Sequence, residues 1–174
     1  MVSNQAQKSL LSRPLDLVFF GYFASHIPVT VLIDMQPFYP QHLIPQVLKD
    51  VAADYVNTYK DPLVGSPVPL PWFESFLGCE VLFQLPFFFL AVYGLWKDAQ
   101  FVRLPLIVYG SHVVTTVIPC LAEVLFGSSS LTFDERLTIS GFYLPYLIIP
   151  LMILIDSYRR VSAILSTKST LKQE

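Results

Sequence analysis

The sequence predicts an all-α fold: a polytopic membrane protein, a four-transmembrane-helix bundle with proline-kinked helices. Three observations carry this. Hydrophobic residues make up 53% of the 174-residue chain, and mean hydropathy is +0.55. Charged residues are only 14%, against about 25% in a soluble domain. Several of the 14 prolines lie inside four long apolar runs, where neighbouring helices re-satisfy the backbone groups that proline frees. The length suits one domain. It is expected as an N-terminal tail over residues 1–14, the bundle over 15–158 and a C-terminal tail over 159–174.

The tail to Pro14 is polar, with Lys8 and Arg13. The apolar run that follows carries His26-Ile27-Pro28 where a signal peptide would have small residues for cleavage, so Leu15–Ile33 is read as the first spanning helix. Asp16 is expected at its membrane interface. Pro28 is expected to kink its second half. His26, Thr30 and Asp34 recur at i, i+4 and form one polar stripe.

Met35–Pro71 is wet and proline-rich. Within it Leu43, Val47, Val51 and Tyr55 recur every four residues, which predicts a short amphipathic helix on the membrane surface or capping the bundle. Asp61-Pro62 is expected to end it. The second spanning helix runs from Trp72 to Trp96, with both tryptophans as interfacial anchors. Phe101–Phe126 is the third, with Pro119 expected to break its interior. Leu137–Ile155 is the fourth, closed at the interface by Tyr158, Arg159 and Arg160.

Charge sets the orientation. Lys8, Arg13, Lys97, Arg103, Arg159, Arg160, Lys168 and Lys172 fall on one side of the predicted bundle, and Lys49, Lys60 and Arg136 on the other. The positive-inside rule therefore predicts cytosolic termini and a lumenal first loop. A net charge of −2 argues against nucleic acid as a partner. Cys79 and Cys120 lie in apolar runs and read as buried, inert thiols. With His26, His42 and His112 they form no four-ligand metal spacing, and no metal or cofactor is expected.

Two acids stand out. Asp34 ends the first helix on the side where the second begins. Glu80 lies eight residues into the second, about 12 Å deep at 1.5 Å per residue. Carboxylates inside a membrane default to function, because hydrocarbon penalises their charge. The pair is therefore read as the centre of a ligand pocket. Gln84 shares a helix face with Glu80, and Thr115, Thr116, Tyr143 and Tyr146 are candidate partners from other helices. His112 is read as structural and Glu74 as solvated.

The segments SHIPVTVLIDMQ, KDPL, PWFESFLGCEVLFQLPFF, HVVTTVIP and LPYLIIP occur in this order between Leu15 and Tyr158. They resemble the sterol- and amine-binding receptor branch of the EXPERA superfamily, which also holds emopamil-binding sterol isomerases. The resemblance implies a dimeric, four-helix protein of the endoplasmic reticulum membrane. It also implies an occluded pocket open sideways to the bilayer, where Asp34 and Glu80 hold a ligand amine. Gln84 would lie near the ligand, Thr115, Thr116 and Tyr146 would line the pocket, and Asp61 would shape the lumenal loop. The departure is the C-terminus, STLKQE, which lacks a clear dilysine retrieval signal. Endosomal, lysosomal or nuclear membrane is therefore an additional expected location.

Two functions of different class follow. One is a non-catalytic receptor for sterols, oxysterols and lipophilic amines that modulates sterol homeostasis or transport. Its expected partners are membrane lipid, a second copy of the chain and a sterol-transport protein. The other is a sterol double-bond isomerase, which needs an acid to protonate one alkene carbon and a base to remove a proton elsewhere. Resemblance ties isomerase activity to additional His and Glu residues and a pocket Trp. The second helix has no histidine, and its tryptophans lie at its ends, which favours the receptor.

Overall fold

The computed structural model describes residues 9–127 and 130–170; among these there is no strand. We number the helices in chain order. α1 spans Pro14–Asp34, α2 Gln46–Tyr59, α3 Pro71–Trp96, α4 Arg103–Phe126 and α5 Phe133–Thr170. All but α2 belong to segments of 21 to 35 residues that are long and apolar enough to cross a membrane, since about 20 residues suffice. The chain is a multi-pass membrane protein.

α1 packs along the second half of α3, and α4 packs along α5. The closest approach is at Gly110, where a side-chain carbon would meet the Pro150 carbonyl oxygen at 2.7 Å. A small residue there lets the α4 and α5 backbones touch, as helices in lipid favour. Phe19, Phe23, Phe88, Leu95, Leu106 and Ile153 fill the core between the helices. A second cluster of Leu63, Cys120, Val124 and Ile139 sits where the first loop meets α4 and α5.

Four elements depart from the sequence expectation. α5 begins at Phe133 and continues to Thr170, not Leu137–Ile155. Its start is a capping box. The Thr132 hydroxyl and backbone N–H both donate to Glu135, at 2.9 and 2.8 Å, and the Glu135 N–H donates back to the Thr132 hydroxyl at 3.3 Å. Beyond Pro150 no glycine or proline stops the helix before Thr170, and it runs through the polar stretch assigned to the tail. Pro119 does not break α4, which is helical from Arg103 to Phe126. Proline removes one donor, its own N–H, and the helix continues through the remaining bonds on both sides of it.

α2 is displaced to Gln46–Tyr59 and ends in a left-handed Lys60, φ 56°, one residue before Asp61-Pro62. Tyr55 and Tyr59 pack on Phe142 of α5, with ring centroids 6.1 and 4.8 Å away, so this half of α2 caps the bundle. Leu43, Val47 and Val51 remain exposed. The last departure is in the spanning helices themselves. Thr30–Asp34 in α1 and Glu80–Gln84 in α3 are π-helical turns. In α3 the cause is Pro86, whose ring crowds the carbonyl one turn back and forces the turn to widen.

Candidate functional site

The two π-helical turns face each other, and each carries one of the two acids. Such turns are frequent at functional sites because they re-aim side chains out of the regular helix. Thr30 of α1 is fully buried and donates its hydroxyl to Glu80 Oε1 at 2.7 Å. His26, one turn earlier, brings Nε2 to 3.5 Å from the same oxygen. Ligating atoms of His26, Asp34 and Glu80 all lie within 4.8 Å of one another. The polar stripe of α1 thus faces the acid of α3.

Aromatic rings hold this group. The His26 imidazole stacks on Phe88 at 4.8 Å and 22°, with Tyr146 at 5.0 Å and the edge of Tyr22 at 5.2 Å. Tyr22 shares a hydrogen bond of 3.0 Å with Tyr109. Gln84 is buried one turn beyond Glu80. The site is therefore two half-buried carboxylates and an imidazole in an aromatic wall. It is suited to a cation, which a carboxylate pairs and a ring face attracts.

The other residues singled out by sequence lie elsewhere. Tyr143 donates to Asp61 Oδ2 at 3.0 Å rather than joining Glu80, and Tyr55 donates to the same oxygen at 2.8 Å. Asp61 Oδ1 accepts the backbone N–H groups of Leu63 and Val64 at 2.9 and 3.3 Å. Asp61 is only 1% exposed, and its four bonds tie the loop to α2 and α5. Thr115 is exposed and donates to the Ser111 and His112 carbonyls of its own helix; Thr116 donates to those of His112 and Val113. Neither threonine reaches the acids. At the loop end, two surface concavities of about 360 and 540 Å³ share Glu123, and neither is lined by Asp34 or Glu80.

The sequence reading missed two features. The first is the centrality of His26, for which the i, i+4 spacing to Thr30 and Asp34 was the available signal. The second is at the opposite end of α1. Asp16 is fully buried within the protein. It accepts both terminal nitrogens of Arg103 at 2.9 and 2.7 Å, pairs with Arg13, and lies 3.5 Å from Arg160. Asp98 and Asp156 complete the cluster around the arginines. Three basic and three acidic side chains, from α1 and Arg13 just before it, the α3–α4 connection, α4 and α5, therefore balance in one network.

Residues 47–157 match the family model described as EXPERA, the expanded EBP superfamily. "Sigma intracellular receptor 2" of Xenopus tropicalis is 42% identical over 155 residues, covering 84% of this chain and 90% of that protein. The Homo sapiens protein of the same name is 41% identical over 149 residues, covering 79% and 84%. "Efficient mitochondria targeting-associated protein 19" of Schizosaccharomyces pombe is 31% identical over 144 residues, covering 82% and 74%.

Proposed function

Because the chain belongs to the EXPERA superfamily, we propose that it is an intracellular membrane receptor for lipophilic cationic amines and sterols or oxysterols. It binds them between α1 and α3 and modulates sterol homeostasis or transport without catalysing a reaction. The observation that supports this most is the convergence of Asp34 and Glu80, from two helices, on one aromatic-walled group within the membrane. An ammonium there meets a carboxylate where water does not compete, and the ring system of a sterol finds apolar walls. The names of two relatives, each "Sigma intracellular receptor 2", agree with a receptor. The reading includes the endoplasmic reticulum membrane as location, cytosolic termini, a homodimer and a sterol-transport protein as partner.

Glu80→Gln and Asp34→Asn keep shape and remove charge. Each weakens a lipophilic amine by about 2–5 kcal/mol, the usual loss when one partner of a buried charge pair is removed. A neutral sterol loses less, because it presents no formal charge. Competition binding of one amine and one neutral sterol to the wild type and both variants reads this. Equal loss of both ligands would indicate misfolding, and an unchanged amine affinity in both variants would remove the acids from the reading.

One observation favours the isomerase as a second reading. The histidine that α3 lacks is supplied by α1, since His26 lies against Glu80, so an acid–base pair is present. Sterol synthesis restored in isomerase-deficient cells, and dependent on Glu80, would move the chain to that branch.

A further inference from the structure

We propose that His26, Asp34 and Glu80 form a binding site for a divalent transition-metal ion, zinc above all, and that metal and ammonium ligand are mutually exclusive occupants. The exclusion rests on the receptor reading; the metal site does not.

The argument starts from charge. Two carboxylates share a group whose ligating atoms lie within 4.8 Å, inside a membrane-spanning bundle. Each ionised carboxylate there needs a compensating charge. The arginines of the bundle core are engaged at the other end of α1, around Asp16. An ammonium neutralises one carboxylate, whereas a divalent ion neutralises both.

The donor set selects the ion. One imidazole nitrogen and two carboxylates suit zinc and its first-row neighbours, while calcium and magnesium prefer oxygen alone. Three protein ligands with a further position open is the arrangement of a reactive or exchangeable zinc site. Bonds of about 2.0–2.2 Å put tetrahedral ligand atoms about 3.3 Å apart. His26 Nε2 and Glu80 Oε1 are at 3.5 Å already, and Asp34, whose ligating oxygen lies within 4.8 Å of both, closes the set by a side-chain shift of about 1.5 Å or less.

Two independent observations point the same way. His26 is 8% exposed, and its Nε2 comes no nearer to Glu80 than 3.5 Å, longer than a normal hydrogen bond. Buried polar groups are usually satisfied, and coordination gives this ring a strong partner. Thr30 meanwhile fixes Glu80 through a 2.7 Å bond, as outer-shell groups orient metal-binding carboxylates.

The test uses the full chain without an affinity tag, purified in detergent and freed of metal with a chelator. Cobalt(II) titration is followed by visible absorption, and zinc(II) binding by calorimetry. The expected result is one ion per chain, with cobalt bands that zinc removes. His26→Gln, Asp34→Asn and Glu80→Gln each weaken binding by at least about tenfold, while His42→Gln, at an exposed histidine, changes nothing. Circular dichroism and thermal unfolding establish that the variants are folded, and His26→Asn provides a second substitution of the ring. Saturating zinc weakens amine binding at least about tenfold in the wild type. Zinc has no further effect on whatever amine affinity His26→Gln retains. Zinc bound equally by wild type and His26→Gln would be a surface ion and would overturn the site. Zinc bound through His26 without affecting the amine would overturn the exclusion. Amine binding that needs Asp34 in a chain that takes up no zinc would overturn the metal and leave the receptor reading standing.

Discussion

α1 carries an acid at each end, Asp16 buried and Asp34 half-buried, and the two are handled in opposite ways. Asp16 is enclosed by Arg13, Arg103 and Arg160, and the surrounding network balances three positive charges against three negative ones. Asp34 sits with a second carboxylate, Glu80, and with His26 as the nearby basic side chain. Every strong partner of Asp16 comes from the chain itself, and four segments of the bundle are tied together. With both acids ionised, the group around Asp34 holds more negative charge than its one nearby basic side chain balances. An acid in a membrane helix is therefore not by itself a ligand site; what decides is whether the fold completes it.

The largest expected effect separates the two ends directly. Asp16→Asn leaves Arg103, 1% exposed, without its main counter-charge. Breaking a buried pair from one side costs about 3–5 kcal/mol, so the unfolding temperature in detergent falls steeply or the protein fails to accumulate. Asp34→Asn relieves repulsion from Glu80, and the ligand-free protein keeps or gains stability. A reversed order of the two melting temperatures would break the comparison.

Asp61 is an intermediate case, completed by hydrogen bonds instead of ion pairs. Asp61→Asn turns one of its acceptors into a donor facing a tyrosine or a backbone N–H. The cost is about 2 kcal/mol, within the range for bonds to a charged group, and Tyr143→Phe costs about 1 kcal/mol. Both should act on loop stability in thermal unfolding and leave the charge preference of the ligand site unchanged. Burial first, and Asp61 second, push the Tyr55 phenol above its ordinary value of 10.0. The folded chain holds that proton more tightly than the unfolded one. Its contribution is therefore intact below about pH 10 and lost as the pH rises further. Tyr55→Phe removes this alkaline loss, which a melting series across pH resolves.

The smallest effect is at the surface. Lys60 pairs with Glu135, but the lysine side chain is 63% exposed. Exposed pairs contribute little and are screened by salt. Lys60→Gln gives no measurable change in melting temperature at physiological salt. A clear loss would show that the α2–α5 contact relies on charge instead of the ring packing of Tyr59 on Phe142.

The four long apolar runs were enough to read four spanning helices, because bilayer thickness sets a length that composition alone meets, and the four-residue spacing in the first loop was enough to read a short amphipathic helix. The pairing of His26, Thr30 and Asp34 on one face was equally legible, since helical spacing is local. Helix ends were less so. The Thr132–Glu135 capping box sits in a polar stretch that reads as loop, and the stretch from Arg159 to Thr170 is helical for want of anything to stop it. Pro119 read as a break because its one lost hydrogen bond was weighed without the remaining bonds and packing that carry the helix through it.

What the sequence determined by itself was the class of molecule and the two acids that hydrocarbon makes expensive. Only the tertiary structure decided which acids are satisfied. Asp16 and Arg103 are 87 positions apart, Tyr143 and Asp61 82, and Thr30 and Glu80 50. A carboxylate's role depends on the charges and donors within a few ångströms of it, and packing across helices, which no local spacing encodes, puts them there.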